Sequence, residues 1–323
     1  MIYYLVADDP APSWGTGMLY EHVRLLREQA WEACVLHHRA PYRPGWRELA
    51  VPVRYLDDPG FAPGADDVVV VPEVLAGSEA VRRLPWRRVV FVQGSFLILK
   101  GLDGAADYAA LGYEAAMAVL PHVARVVERH FGLAAHVVPP FVAPYFFDAG
   151  GEPRRQRVLL AVKDGYRTAG IPDEEIAGAL LAKELAGRPG WELVRLTGLQ
   201  HEQVAELMRT STFLVNVNSH EAFNTTVPEA MAAGCVPLCY EAVGGRDFLR
   251  DGENAIVFGN QDVYALVERV AELIDLGEER ETLLARLRAG GRSTAASFRP
   301  EVTAEALARF FGSALEPPAA KRT

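Results

Sequence analysis

Cysteine is scarce in this chain of 323 residues: only Cys34, Cys235 and Cys239 occur. An odd, low count without paired spacing argues against a disulfide framework and fits a reducing compartment. Cys235 and Cys239 fall in Cys-Val-Pro-Leu-Cys, the pattern of a short buried strand, and no neighbouring His or Cys cluster completes a zinc site. Long hydrophobic runs are missing as well; none approaches the ~20 apolar residues of a membrane helix. The start, Met1-Ile-Tyr-Tyr-Leu-Val-Ala7, has no basic residue and too short an apolar run for a signal peptide. A cytoplasmic protein is expected, with peripheral contact at the inner face of the membrane as a further reading. An excess of positive charge is also absent. The formal net charge is −9, which argues against a nucleic-acid partner. One local basic patch, Arg82, Arg83, Arg87 and Arg88, surrounds Leu84-Pro85-Trp86. It reads either as a solvated helix end before a strand or as a site for anionic head groups or an anionic acceptor. Neither an internal repeat nor a low-complexity tract is present. A half-hydrophobic composition with charge of both signs describes a folded chain with one large core or two ordinary ones.

Short apolar runs alternate with longer segments of helical period, the signature of parallel α/β architecture. In the first half, Ile2 to Ala7, Cys34 to His37, Val51 to Tyr55, Asp67 to Pro72 and Val89 to Gln93 read as strands. Gly15-Thr16-Gly17 leads into an amphipathic helix carrying Leu19, Val23, Leu26 and Ala30. A helix is expected from about Ala106 into Ala115 to Leu120, and another over Pro121 to Phe131. Val137-Val-Pro-Pro-Phe-Val-Ala-Pro144 should be extended, because residues before proline are pushed out of the helical region. A second cycle follows the polar stretch Gly150 to Gln156. It has strands at Arg157–Val162, Trp191–Leu196, Phe213–Val217, Val236–Tyr240 and Ala255–Phe258, and helices at Asp173–Leu185, Gln200–Arg209 and Val227–Ala233. Gly234 suits the left-handed cap of the last of these. Two Rossmann-like doubly wound units are expected, 1–145 and 150–300, with 301–323 a helix that can pack back toward the first unit and a frayed tail.

The most informative segment is Phe213-Leu-Val-Asn-Val-Asn-Ser-His-Glu221-Ala-Phe-Asn-Thr-Thr-Val-Pro-Glu229-Ala-Met-Ala-Ala-Gly234. A strand runs into a polar loop, and the loop feeds a helix with Pro228 and Glu229 in its first turn. Open sheets bind ligands beyond the carboxyl ends of their strands. Free N–H groups near Asn224, Thr225 and Thr226, with the helix dipole behind them, favour an anion such as a diphosphate. A carboxylate about one turn further in can accept from vicinal hydroxyls, as on a ribose. A plainer reading stands beside this one: Thr226-Val-Pro-Glu229 also fits a capping box, with Glu229 reaching back to the cap N–H. Glu221 can likewise be a solvated loop residue.

The segment resembles the E-x7-E signature of the retaining family-4 glycosyltransferases (glycosyl transferases group 1), with Glu221-Ala-Phe-Asn at its start and Glu229-Ala-Met-Ala-Ala-Gly-Cys-Val-Pro at its end. Gly244-Gly245, Asp251-Gly252, Leu196-Thr-Gly198 and Glu206-Leu-Met208 extend the likeness across residues 190–260. The resemblance implies a GT-B fold, two Rossmann-like domains facing across a cleft, with an acceptor-binding domain at 1–145 and a donor-binding domain at 150–300. It assigns Glu229 to the donor ribose and Glu221 to the donor sugar hydroxyls. It has the backbone of Phe223, Asn224, Thr225 and Thr226 line sugar and phosphates, and Gly198 and Leu199 flank the base. Two cations after the first strand of the second domain would neutralise the leaving diphosphate. Here they are Lys163 and Arg167, in swapped order from the commoner Arg then Lys. Gly15, Thr16 and Gly17 resemble the family's glycine loop.

The implied reaction moves a sugar, with retention, from a nucleoside diphosphate sugar (UDP or GDP leading) to a hydroxyl of a glycan, lipid-linked or small-molecule acceptor. No cofactor is expected. No metal is expected either, since only Asp8-Asp9 offers an acidic pair at a strand end. Two departures matter. The turn where many relatives carry a histidine reads Gln93-Gly94-Ser95, and His122 reads as an exposed helix-start residue. Ala222 and Asn224 replace the usual glycines. They leave open a non-catalytic nucleotide-sugar or glycan binder; a nucleotide-sugar epimerase shares the fold but lacks this spacing of glutamates.

Overall fold

Valine runs without alternation mark strands buried on both faces, and Val68–Pro72 is buried at every position. The computed structural model describes residues 1–9, 13–42, 50–147, 153–162, 167–218 and 223–313. The chain divides into two units, Met1–Pro140 with the chain from Glu301 onward, and Phe141–Pro300. In the first, the elements are β1 (Ile2–Leu5), α1 (Trp14–Glu28), β2 (Ala33–His37), β3 (Val53–Tyr55), β4 (Val68–Pro72), α2 (Glu79–Arg82), β5 (Arg87–Val92), α3 (Ile98–Gly101), β6 (Ala115–Ala118), α4 (Pro121–His130) and β7 (Ala135–Val137). The sheet is parallel throughout in the order β3-β2-β1-β4-β5-β6-β7, so the order reverses between β1 and β4.

The helix expected from Ala106 does not form. Asp103 and Gly104 take positive φ, as does Gly112, and the Asp107 carboxylate accepts the N–H of Ala110 at 2.7 Å. Such local bonds give the backbone an alternative to the helix, and the stretch becomes turns leading into β6.

The second unit holds β8 (Arg155–Ala161), β9 (Arg167–Thr168), β10 (Ile171–Pro172), α5 (Asp173–Ala186), β11 (Glu192–Leu196), α6 (His201–Thr210), β12 (Ser211–Asn216), α7 (Thr226–Ala233), β13 (Val236–Tyr240), β14 (Ile256–Phe258), α8 (Val263–Asp275) and α9 (Arg280–Ala295). Its main sheet is parallel in the order β11-β8-β12-β13-β14, and β9 and β10 form a separate antiparallel hairpin. Val158, Leu160, Phe213, Val215, Val236 and Leu238 from the strands meet Leu181, Leu266 and Leu284 from the helices in one core. The order reverses between β8 and β12. The chain leaving those two strands is therefore where an open sheet of this kind takes its ligand.

The last helix, α10 (Pro300–Ser313), returns to the first unit. Thr303 donates its hydroxyl to the Pro139 carbonyl at 2.8 Å, Gln29 Nε2 donates to the Ala304 carbonyl at 3.1 Å, and Phe311 lies 6.1 Å from the Trp31 ring. No helix among the described residues is long and apolar enough to cross a membrane.

Candidate functional site

The segment between β12 and α7 is tied at both ends by buried amides. Asn216 ends the strand with its side chain fully buried, exchanging hydrogen bonds with Asn224: Asn216 Nδ2 donates to Asn224 Oδ1 at 3.2 Å, and Asn224 Nδ2 to Asn216 Oδ1 at 3.1 Å. Asn224 Nδ2 also reaches the Asn218 carbonyl at 3.2 Å, and the Asn218 N–H reaches Asn216 Oδ1 at 2.9 Å. Asn224 is thus held by its side chain in a closed amide network. α7 then starts without a side-chain cap, at Thr225 with helical angles. The N–H groups of Thr225 and Thr226 have no acceptor among the described residues. Pro228 sits in the first turn, where its missing N–H costs nothing. At the other end Gly234 adopts φ 70°, and Cys235 N–H reaches back to the Ala230 carbonyl at 2.9 Å. Arg154 closes that end, donating to the carbonyls of Ala233, Met208 and Ser211 at 2.6, 3.1 and 2.7 Å.

Glu229 does not cap α7. Its carboxylate is buried, and Oε1 lies 2.8 Å from Nε2 of His201, the first residue of α6. The plainer reading, a capping box over Thr226–Glu229, is not what forms: the cap position is Thr225, without a side-chain hydrogen bond, and Glu229 turns to His201. Among the described residues Oε2 has no hydrogen-bond partner. His201 Nδ1 in turn lies 2.6 Å from the Tyr145 hydroxyl. Neither His201 nor Tyr145 carries a sequence signal, since both reach Glu229 only through the fold. Gly198 and Leu199 lie just before α6; Gly198 takes φ +66° in open space, and Leu199 is partly exposed. Phe223 turns inward instead, its ring 5.8 Å from Phe248 and 5.1 Å from Phe298, so its side chain anchors the loop.

Glu221 and Lys163 lie outside the described residues. Arg167 opens the β9–β10 hairpin as an exposed side chain that donates to the Gly170 carbonyl at 3.0 Å. The hairpin is fixed from below: the Thr168 hydroxyl donates to Asp173 Oδ1 at 2.8 Å and the Tyr240 hydroxyl to Asp173 Oδ2 at 2.9 Å, with Asp173 fully buried. The structure thus joins Glu229, His201 and Tyr145 by contact, and Asn216, Asn218 and Asn224 by contact. Among the described residues Arg167 makes no hydrogen bond to either group.

In the first unit, Gly15, Thr16 and Gly17 form the first turn of α1 and not a loop, because Ser13 caps the helix with its hydroxyl 3.4 Å from Thr16 N. A Cβ at Gly15 would lie 2.7 Å from Gln93 Oε1, the far end of a flexible side chain that would have to shift. Gln93 and Gly94 donate their N–H groups to the buried Glu73 carboxylate at 3.1 and 2.8 Å. Burial pushes that carboxyl up to about 7. Asp8 is committed to His37 Nδ1 at 2.9 Å and to the N–H groups of His38 and Arg39. His122 is buried and not exposed as its helix-start position suggested. In the basic patch Arg83 and Arg87 pair with Glu79 and Glu114, and Arg88 donates to the Leu111 and Arg82 carbonyls. Burial pushes the Cys235 and Cys239 thiols up to about 12, the behaviour of packed residues. Among the described residues no group of three His, Cys, Asp or Glu is placed to hold a metal.

Residues 181–288 match the family described as glycosyl transferases group 1. The chain is 25% identical over 167 residues to an exopolysaccharide phosphotransferase of Streptomyces coelicolor, covering 39% of this chain and 18% of that protein. It therefore spans under a fifth of that relative. Among solved structures it resembles a glycosyltransferase of Rickettsia africae, with a TM-score of 0.71 at 11% identity, covering 98% of this chain and 99% of that one. HepE of Anabaena, solved in complex with UDP, gives a TM-score of 0.67 at 11% identity, covering 97% and 100%. These likenesses show the fold, two Rossmann-like units of the GT-B class.

Proposed function

We propose that this chain, which carries the group 1 glycosyltransferase pattern over residues 181–288 of a GT-B fold, moves a sugar from a nucleoside diphosphate sugar to an acceptor hydroxyl with retention. The observation that carries the reading is the start of α7: among the described residues, a buried carboxylate has one oxygen without a partner, one turn from two N–H groups without an acceptor. That arrangement suits a ribose diphosphate, hydroxyls on Glu229 and phosphate at the helix start.

In this reading the first unit takes the carbohydrate or lipid-linked acceptor and the second the donor. Gly198 and Leu199 flank the base, and the backbone from Phe223 to Thr226 lines sugar and phosphates. Glu221 accepts from the sugar hydroxyls. Lys163, Arg167 and the α7 amides offset the charge that develops on the leaving diphosphate, and such electrostatic stabilisation is commonly the largest catalytic contribution. UDP in the structure of HepE favours UDP over GDP as the nucleotide. No resident cofactor or metal is required.

The test is to incubate the protein with UDP- and GDP-sugars and an acceptor pool, with and without EDTA, and to identify the nucleotide released. Acceptor-dependent release of nucleoside diphosphate, unchanged by EDTA, is expected. The Streptomyces relative is a phosphotransferase, and transfer of sugar phosphate would release nucleoside monophosphate instead. Binding without release would favour the non-catalytic binder. Glu229→Gln should weaken nucleotide binding roughly tenfold or more, the loss of one charge-assisted hydrogen bond.

A further inference from the structure

A carboxylate that accepts from two vicinal hydroxyls must be fixed in rotation, since small misplacements forfeit well-oriented bonds. Glu229 is fixed by a chain of side chains. His201 Nε2 lies 2.8 Å from Glu229 Oε1, and Tyr145 Oη lies 2.6 Å from His201 Nδ1. With a neutral ring, one proton arrangement satisfies both contacts: the Tyr145 O–H donates to Nδ1 and Nε2–H donates to the carboxylate.

The ring is braced further. Phe146 packs on it at 4.9 Å between centroids, and Arg209 Nη1 donates to the Tyr145 carbonyl at 2.5 Å. The His201 side chain remains 47% exposed while that of Glu229 is 7% exposed. A half-exposed imidazole held from three sides has lost side-chain freedom that solvation alone would leave it. That order gives Glu229 a single orientation, in which Oε2 has no partner among the described residues.

We propose that His201, held by Tyr145, is a positioning residue of the donor site. It aims the remaining oxygen of Glu229 at the ribose hydroxyls, and so sets a preference for ribonucleoside diphosphates over forms that lack those hydroxyls. This rests on the donor-site reading given above. A site built to hydrogen-bond a hydroxyl discriminates strongly against the analogue without it, because the site's own polar group is left unpaired.

Isothermal titration of UDP and GDP, each against its 2′,3′-dideoxy form, tests this on the full chain. Wild type is expected to bind the ribo form about 30-fold more tightly. His201→Ala should weaken the ribo form roughly tenfold and leave the dideoxy form within about twofold, so the preference shrinks. Tyr145→Phe should have a smaller effect of the same kind. His201→Gln, whose amide N–H can still donate to Glu229, should restore most of the preference and shows that the site remains folded. Equal weakening of both forms by His201→Ala, or no weakening of either, overturns the positioning role. Glu229→Gln separates the two layers: if it leaves the ribose preference intact, the donor-site reading itself falls, whatever His201 does. Failure of wild type to bind either nucleotide removes both.

Discussion

Asn216, Asn218 and Asn224 decide the shape of the loop that leaves β12. Asn224 stands where the signature that this segment resembles has glycine, and its side chain makes bonds that glycine cannot: two to Asn216 and one to the Asn218 carbonyl. Glycine at this position would keep the backbone and lose the lock. Asn224→Gly should destabilise the protein by about 1–3 kcal/mol, because Asn216 Nδ2 is left buried without its acceptor. Asn216→Ala should cost a similar amount. The double variant should cost clearly less than the sum, since the second change removes the group that the first left unsatisfied. Urea unfolding of the four proteins measures this, and strict additivity would show that the two amides do not act as a pair. At this scale the substitution reads as compensation and not as decay of a binding loop.

Between residues and units lie elements, and the β9–β10 hairpin is the one whose placement matters to the proposed role of Arg167. It carries Arg167, and it is anchored through Thr168, Asp173 and Tyr240. Burial holds the Tyr240 hydroxyl protonated far above its ordinary range, and the Asp173 carboxylate beside it acts in the same direction. Tyr240→Phe removes one donor to a fully buried carboxylate, so a stability loss of about 1–2 kcal/mol is expected. A fall in kcat larger than any rise in KM is also expected, because Arg167 is proposed to act on charge that develops during transfer. A variant with the stability loss but unchanged kcat would detach the hairpin from catalysis. Nothing along the sequence announced this anchor. Tyr240 and Asp173 are 67 positions apart, and His201 and Glu229 are 28 apart. The strands and helices themselves were legible, since apolar runs such as Val68–Pro72 and the Gly234 stop report local physics. The helix expected from Ala106 failed for the same local reason, with Asp107 and Gly112 outweighing the period.

For the molecule as a whole, the net charge of −9 hides two buried groups in the first unit that pull stability in opposite directions with pH. His22 is fully buried against Tyr4 and Phe91, and desolvation lowers it from 6.5 to about 3. Below pH 6.5 the unfolded chain takes up a proton that the folded one refuses, so stability falls as pH drops toward 3. Glu73 is raised from 4.5 to about 7, again by desolvation, against the N–H groups of Gln93 and Gly94. Between pH 4.5 and 7 the folded state holds the proton and the unfolded state does not, so stability falls as pH rises. Each slope approaches about 1.4 kcal/mol per pH unit, and over pH 4.5–6.5 the two oppose each other. Glu73→Gln should leave His22 unopposed, giving a first unit that gains stability from pH 5 to 6.5. His22→Leu should give the reverse, a unit that loses stability over the same window. Trp14, Trp31, Trp46 and Trp86 all precede residue 140 and Trp191 does not. In a Trp191→Phe background, tryptophan fluorescence during guanidinium unfolding therefore reports the first unit. The signs of the two slopes are the decisive quantity: parallel pH dependences in both variants would mean that neither group changes its proton affinity on folding.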